Sequence, residues 1–325
     1  MSSLSHWARR HVANYLLQSV LWLLARLPVE WARTLGRWSG ELGYRLDGRS
    51  RRVAERNIAL AYPDLDDSNQ DRLVRETLRE TGALAAEMGH VWLRPWVSTE
   101  RLILQVEGKN SVKAALEGGR GVIILGPHLG NWEVLGLHLA TLGEMVALFE
   151  PPKIQSLGPL IQRARERSGG RLVPTTPRGI ASLVKSVKAG GISGILPDQV
   201  PDSETGGLNV PFMGVDCGTA ALGCNLIQRS GAVAFLGAAF RVKGGFEVCY
   251  VPAPAALYGD DLREALTAMN SAIADLLETR EAQYQWQYKR FRTQPNSGTD
   301  HYRDLKVPRS DFERRLSNTN PEQQP

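Results

Sequence analysis

His128 and Glu133 are the side chains in this sequence best suited to moving a proton between them. They bracket the segment His128-Leu129-Gly130-Asn131-Trp132-Glu133, which follows the apolar run 121–126 and precedes the apolar-periodic segment 132–142. On one regular helix, positions five apart point about 140° from each other, so a shared helical face does not unite them. A strand–turn–helix reading does. It places His128 on the turn and Glu133 in the first helical turn, at the carboxyl end of a strand, where open α/β sheets collect their chemistry. In that arrangement Glu133 would orient the imidazole and stabilise its charged form, as the acid of a Ser-His-Asp triad does. No serine nucleophile accompanies the pair, so the proton would come from a substrate hydroxyl. A lone histidine at such a turn more often caps or packs. The carboxylate five residues on, with Gly126, Pro127, Gly130 and Asn131 shaping the turn, favours chemistry here, and the free amides at the helix start offer a site for an oxyanion or a phosphate. Trp132 reads as a core aromatic.

Two further places offer candidates. Leu196-Pro197-Asp198-Gln199 also ends an apolar run. Asp198 there would orient an arginine, line a pocket, or only cap the loop 200–209, whose glycines Gly206 and Gly207 permit closure over a ligand. A basic run holds Arg163, Arg165, Arg167, Arg171 and Arg178. Arg178 opens a helix after a Pro-rich turn and suits a phosphate or carbonyl contact. The others read as a solvated face or as contacts to an acidic partner. There is no G-x-S-x-G elbow, Walker A loop, G-x-G-x-x-G or H-E-x-x-H. His138 lacks a matching ligand set and is assigned to helix packing. The chain is therefore read as neither a serine hydrolase nor a nucleotide or metal enzyme.

These residues need a scaffold, and 325 residues with 42% hydrophobic content suffice for a full core. Short apolar runs at 121–125, 145–149, 192–196, 233–239 and 246–251 read as strands. Segments 132–142, 157–168, 180–189, 219–230 and 262–282 read as helices, and so does a longer stretch from 67 or 68 to about 93. This alternation predicts an α/β layered domain with a mostly parallel sheet flanked by helices. The polar tail 305–325 lacks periodicity and is expected to be disordered. Three cysteines in no CxxC pair suggest neither a disulfide framework nor a zinc site, and fit a reducing compartment.

Charge is unevenly distributed. The net charge is +5, yet residues 1–56 contain ten arginines, no lysine and four acids, which leaves the remainder at −1. The uncharged stretch 12–25 is shorter than the roughly 20 residues of a spanning helix. Arg26, Arg33 and Arg37 alternate with Leu27, Trp31, Leu35 and Trp38, as in an interfacial amphipathic helix with snorkelling arginines. A membrane-associated N-terminal helix over residues 1–45, facing an anionic surface rather than a nucleic acid, is the favoured reading. The alternative is a buried first helix of a soluble enzyme. Residues 45–56 read as a basic connector.

Taken in order, the motifs resemble the bacterial lipid A biosynthesis acyltransferases, the late lauroyl and myristoyl transferases. The resemblance rests on His128-Leu129-Gly130-Asn131-Trp132-Glu133, Leu196-Pro197-Asp198-Gln199, Val210-Pro211-Phe212-Met213-Gly214 and Arg229-Ser230-Gly231-Ala232. It continues through Glu281-Ala282-Gln283-Tyr284-Gln285-Trp286, Lys289-Arg290-Phe291-Arg292 and Pro295, with Asn57 and Tyr62-Pro63 upstream, over about residues 15–302. Ala282, Tyr288, Gln294, Val200 and Gly179 depart from the family pattern and bear on the acceptor rather than the chemistry. The resemblance implies a glycerolipid-acyltransferase-like domain over 46–304. That domain would transfer a fatty acyl chain from acyl carrier protein to a hydroxyl of a phosphorylated lipid A precursor, at the cytoplasmic face of the bacterial inner membrane. His128 and Glu133 would be catalytic. Arg178, Asp198, Gly130 and Asn131 would contact substrate or oxyanion, with no cofactor or metal required. Another lipid or glycolipid acceptor, or a non-catalytic lipid-binding protein on the same fold, are the alternatives.

Overall fold

Five helices precede the first strand: α1 (Ser2–Arg26), α2 (Val29–Arg45), α3 (Arg49–Ala61), α4 (Asp67–Leu93) and the short α5 (Trp96–Glu100). The computed structural model describes residues 2–152, 154, 157–201, 206–278, 280–292, 300–303 and 305, and of residues 2–13 the backbone alone. The tail expected to be disordered therefore lies, apart from Leu305, outside the described residues. Local chemistry sets the helix ends. Pro28 and Pro95 sit immediately before α2 and α5, and Asp66 caps α4 by accepting from the Asn69 amide at 2.9 Å. The basic stretch 45–56 is mostly α3 rather than a connector, with Arg51 paired to Glu55 one turn on at 2.7 Å.

α2 and α4 cross at backbone contact. A Cβ on Gly82 would lie 2.0 Å from the Gly36 carbonyl oxygen, and one on Gly36 would lie 2.3 Å from the Gly82 oxygen, so only glycine fits at either position. Leu16, Trp22 and Leu23 of α1 stay exposed, as do Trp31, Leu35, Trp38 and Leu42 along one face of α2. Among the described residues no helix is long and apolar enough to cross a membrane. Arg33, expected to snorkel, is instead buried against Glu87 at 2.6 Å.

The rest of the chain alternates strand and helix: β1 (Ile103–Glu107), α6 (Lys109–Glu117), β2 (Val122–Leu125), α7 (Trp132–Leu139), β3 (Val146–Phe149), α8 (Gly158–Glu166), β4 (Arg171–Pro174) and α9 (Pro177–Lys188). Then come β5 (Ile192–Ile195), the hairpin β6 (Gly207–Phe212) and β7 (Val215–Ala220), α10 (Leu222–Ser230), β8 (Val233–Val242), β9 (Gly245–Pro252) and α11 (Leu262–Leu277). Five strands form one sheet in the order β1-β9-β8-β2-β5. β8, β2 and β5 run parallel, β9 is antiparallel to β8, and β1 runs with β9. The parallel pair β3–β4 adjoins β5 through a bridge between Met145 and Ile192. All four residues of β2 are buried, because core residues cover both of its faces. That is why β2 reads as an unbroken apolar run.

The mostly parallel α/β expectation holds for this sheet. β1, β4 and the β6–β7 hairpin were not expected. The helix expected from 219 starts at Leu222, because Thr219 and Ala220 complete β7, and the helix expected to reach 282 ends at Leu277.

Candidate active site

The register of the sheet assembles the site. Leu125 of β2 pairs with Ile195 of β5, and each chain runs three residues beyond that pair to a polar side chain, His128 on one strand and Asp198 on the other. The two side chains meet. His128 Nδ1 lies 2.8 Å from Asp198 Oδ1, and the His128 amide donates to Asp198 Oδ2 at 2.9 Å. Both are buried, at 7% and 3% exposure. With an ionised carboxylate as acceptor, Nδ1 carries the proton and Nε2 is left as the basic nitrogen. Burial alone would raise the Asp198 pKa. The His128 ring, the His128 amide and the buried Arg290 guanidinium outweigh it and hold the carboxyl below its usual range. Tyr284 also leans on this carboxylate, and burial together with the Asp198 charge pushes its hydroxyl pKa far up. Trp132 packs edge-on to the His128 ring, with centroids 4.8 Å apart.

Glu133 is not the partner of the imidazole. Both of its oxygens are taken by Arg165 of α8, from Nη2 at 2.6 Å and from Nε at 2.9 Å. Glu133 holds that guanidinium charged against the desolvation of its half-buried position. The physical reason is the one visible in sequence: the first turn of α7 carries Glu133 around the helix, away from a residue on the preceding turn. Asp198, on the neighbouring strand end, takes the orienting position.

The turn itself is fixed by backbone bonds. Gly130 has φ +63°, and a Cβ there would sit 2.1 Å from the Ala239 carbonyl. Its amide donates to the Gln283 oxygen at 3.1 Å, so it offers no donor to an oxyanion. Asn131 is fully buried and fully used. Its Oδ1 caps α7 by accepting from the Val134 amide at 3.1 Å, and its Nδ2 donates to Glu87 at 2.8 Å. The substrate or oxyanion contact expected of Gly130 and Asn131 is thus replaced by the shaping of the turn. The Trp132 and Glu133 amides, at the first turn of α7, take no partner among the described residues and remain the available donors. Arg178, the other expected contact, is exposed at the second position of α9 and does not line the cavity beside His128.

Glu87 binds more than Asn131. It also accepts from Arg33 at 2.6 Å and from Arg241 at 2.7 Å, and Arg241 in turn reaches the Gly130 oxygen at 3.2 Å. A buried ionic cluster thereby ties α2, α4 and β8 to the underside of the turn. Removing one partner of such a cluster costs roughly 3–5 kcal/mol. The C-terminal segment supports the same turn: the His128 oxygen accepts from the Gln285 amide at 3.0 Å, while Asn57 donates to the Trp286 and Tyr288 oxygens at 2.6 Å each and accepts from the Tyr302 hydroxyl.

Beside this turn opens a cavity of about 350 Å³. Its lining is polar at Glu133, Glu150, Arg165, Thr175 and Gln199 and otherwise mostly apolar, with Ile124, Leu139, Met145 and Leu172 among the walls. Among the described residues Arg165 is the one cation in that lining. Gln199, which lines the cavity, brings its Nε2 to 3.4 Å from His128 Nε2. Two parts of the site escaped sequence reasoning. Arg165 was grouped with a solvated arginine run, and the only distinguishing signal is its position in a helix whose buried residues are Gly158, Ile161 and Ala164. Glu87 lies within a long helix with nothing nearby in sequence to mark it.

The site offers a base oriented by a carboxylate, donors at a helix start, a cation and an apolar slot. It offers no activated thiol: Cys224 and Cys249 are both pushed up by burial to about 11. Among the described residues no cluster of His, Cys, Asp and Glu converges to hold a metal ion.

Comparison with known proteins agrees with this inventory. Residues 3–293 match the family described as bacterial lipid A biosynthesis acyltransferase. The lipid A biosynthesis palmitoleoyltransferase of Escherichia coli (strain K12) is 26% identical over 279 residues, 85% of this chain and 90% of that protein. The lauroyltransferase of the same organism is 21% identical over 90% of this chain and 95% of its own length. A lipid A biosynthesis acyltransferase of Haemophilus influenzae is 24% identical over 84% and 88%. With the family match spanning most of its length and the base, cation and apolar cavity in one place, this chain belongs to the bacterial lipid A biosynthesis acyltransferase family.

Proposed function

We propose that the protein transfers a fatty acyl chain from acyl carrier protein to a hydroxyl of a lipid A precursor, with His128 as general base. The observation that carries this reading is the His128–Asp198 pair beside the cavity: Nδ1 is held at 2.8 Å by the carboxylate, and Nε2 lies 3.4 Å from Gln199, which together with Trp132 lines the cavity. The acceptor hydroxyl loses its proton to Nε2 as its oxygen attacks the thioester carbonyl carbon. The carbonyl oxygen becomes an oxyanion, which the Trp132 and Glu133 amides and the Arg165 guanidinium stabilise. The intermediate then collapses, the C–S bond breaks, and the departing thiolate takes the proton from His128. Asp198 holds the ring and balances its transient charge, while Glu133 keeps Arg165 in place. The acyl chain occupies the cavity.

Delivery fits a membrane surface. Trp31, Leu35, Trp38 and Leu42 form an exposed stripe on α2 beside a strongly basic N-terminal region. We assign this face to the cytoplasmic leaflet of the bacterial inner membrane, with the helices lying on it. The basic surface also attracts the acidic carrier protein and a phosphorylated acceptor. Replacing Trp31 and Trp38 together by serine should release the protein from anionic vesicles in a sedimentation assay; unchanged sedimentation would refute the assignment.

The activity is tested with purified protein, an acyl carrier protein thioester and a lipid A precursor, with products read by mass spectrometry. One added acyl chain per acceptor is the expected product. Acylation of a different glycolipid, with the lipid A precursor untouched, would move the acceptor while leaving the chemistry. Tight lipid binding with no transfer to any acceptor would overturn the reading in favour of a binding protein.

A further inference from the structure

Four glycines line the cavity: Gly126, Gly136, Gly170 and Gly194. For three of them packing accounts for the missing side chain. A Cβ on Gly126 would meet Leu135 Cδ2 at 2.7 Å, one on Gly170 would meet Met145 Sδ at 3.1 Å, and one on Gly194 would meet Leu139 Cδ1 at 3.0 Å. Gly136 is different. It lies in the interior of α7, with no positive φ, and a Cβ built on it meets nothing within 4 Å. Glycine inside a helix costs about 1 kcal/mol relative to alanine. Here neither backbone geometry nor a close neighbour among the described residues calls for it, and the residue lines the cavity.

Its position along the cavity matters. Trp132 and Glu133 lie one turn before Gly136 on the same lining face, and Leu139 lies one turn after it. At 1.5 Å per residue, Gly136 sits about 4.5 Å along the helix axis from Glu133 and the same distance from Leu139, so it stands between a charged and an apolar part of the lining.

We propose that Gly136 sets the bore of the cavity and is a specificity-determining residue for acyl chain length. The inference rests on the cavity being the acyl site. An added side chain at 136 narrows the cavity between its Glu133–Arg165 part and its Leu139–Met145 part, so chains that extend past 136 are excluded while shorter ones still place their thioester at His128.

The test uses the full chain with Gly136→Ala, Gly136→Val and Gly136→Leu. Each variant is given a mixture of acyl carrier protein thioesters of graded length, and products are read by mass spectrometry. The ratio of kcat/KM for the longest accepted chain to that for a short one should fall progressively, by at least about tenfold for the Leu variant. In each variant the loss with the short chain should be smaller than the loss with the longest. Gly136→Ala should melt at or above the wild-type temperature, because helix propensity rises and nothing is overpacked. Competition by free fatty acids of graded length against a fluorescent fatty acid gives a second readout independent of transfer, with the same length dependence expected. A length ratio unchanged across the three variants, in protein that melts normally, would overturn the proposal while leaving the acyltransferase reading intact. Failure of the wild type to transfer or bind any acyl chain would instead overturn the reading on which it rests.

Discussion

Two histidines ten residues apart, His128 before α7 and His138 in its last turn, are equally buried and chemically opposite. Their exposures are 7% and 4%. Both make a hydrogen bond through Nδ1, and both touch an aromatic ring. His128, however, faces the Asp198 carboxylate, whereas His138 faces the Tyr250 hydroxyl at 2.5 Å and stacks on that ring. Desolvation, with a smaller repulsion from Lys109, drives the His138 pKa down to about 4. That ring stays neutral at physiological pH and acts as core. Burial by itself therefore makes a histidine inert. A carboxylate on one nitrogen, with the other left beside the cavity-lining Gln199, is what suits His128 to the role of base proposed for it.

The contrast is easiest to break by exchanging the fates of the two residues. His128→Ala should lower acyl transfer by about 10²–10⁴-fold, the range expected for loss of a general base. His138→Gln should leave the rate within a few-fold and cost about 1–2 kcal/mol in urea unfolding. Equal losses of activity from both substitutions would end the distinction. Asp198→Asn keeps the shape and removes the charge, so a smaller loss is expected, about 10²-fold, with KM little changed because the substrate is still bound. Activity preserved in that variant would mean that the carboxylate only packs. The smallest effect is on stability. In the unfolded chain His138 titrates near 6.5, and in the folded protein near 4. Between those values the unfolded state binds the additional proton, so stability falls as pH falls through that window, by up to roughly 3 kcal/mol from this group. Asp198, whose pKa is depressed in the fold, adds a loss at still lower pH. His138→Gln should flatten the first window alone, which denaturant midpoints at a series of pH values would reveal; an unaltered slope would show that His138 is not its source.

How much of this was legible in sequence follows from how far apart the partners are. The apolar runs of β2, β5 and β8 announced themselves because both faces of the sheet are covered, and the His128 turn was marked by its position at a strand end. Asp198 was marked in the same way, yet its partner stayed open between an arginine, a pocket and a loop cap. Pairing it with His128 requires knowing that β2 and β5 are neighbours in register, a long-range fact that no local pattern encodes. Glu133 was assigned to the imidazole because it is near in sequence, and the helix turned it toward Arg165. Asn131 and Gly130 looked like free donors because their partners, the Val134 amide and the Glu87 and Gln283 oxygens, come from local helix geometry and from distant segments. Gly136 gave no signal at all, since a glycine that serves by leaving space is indistinguishable in sequence from one required by packing.

The central claim is that Asp198, and not Glu133, holds the imidazole proposed as the base. Proton NMR of the wild type, with nitrogen-labelled histidine, tests it most directly through the Nδ1 proton of His128. That signal should lie far downfield, remain in place in Glu133→Gln, and move upfield in Asp198→Asn. Displacement by Glu133→Gln with persistence in Asp198→Asn would contradict the account.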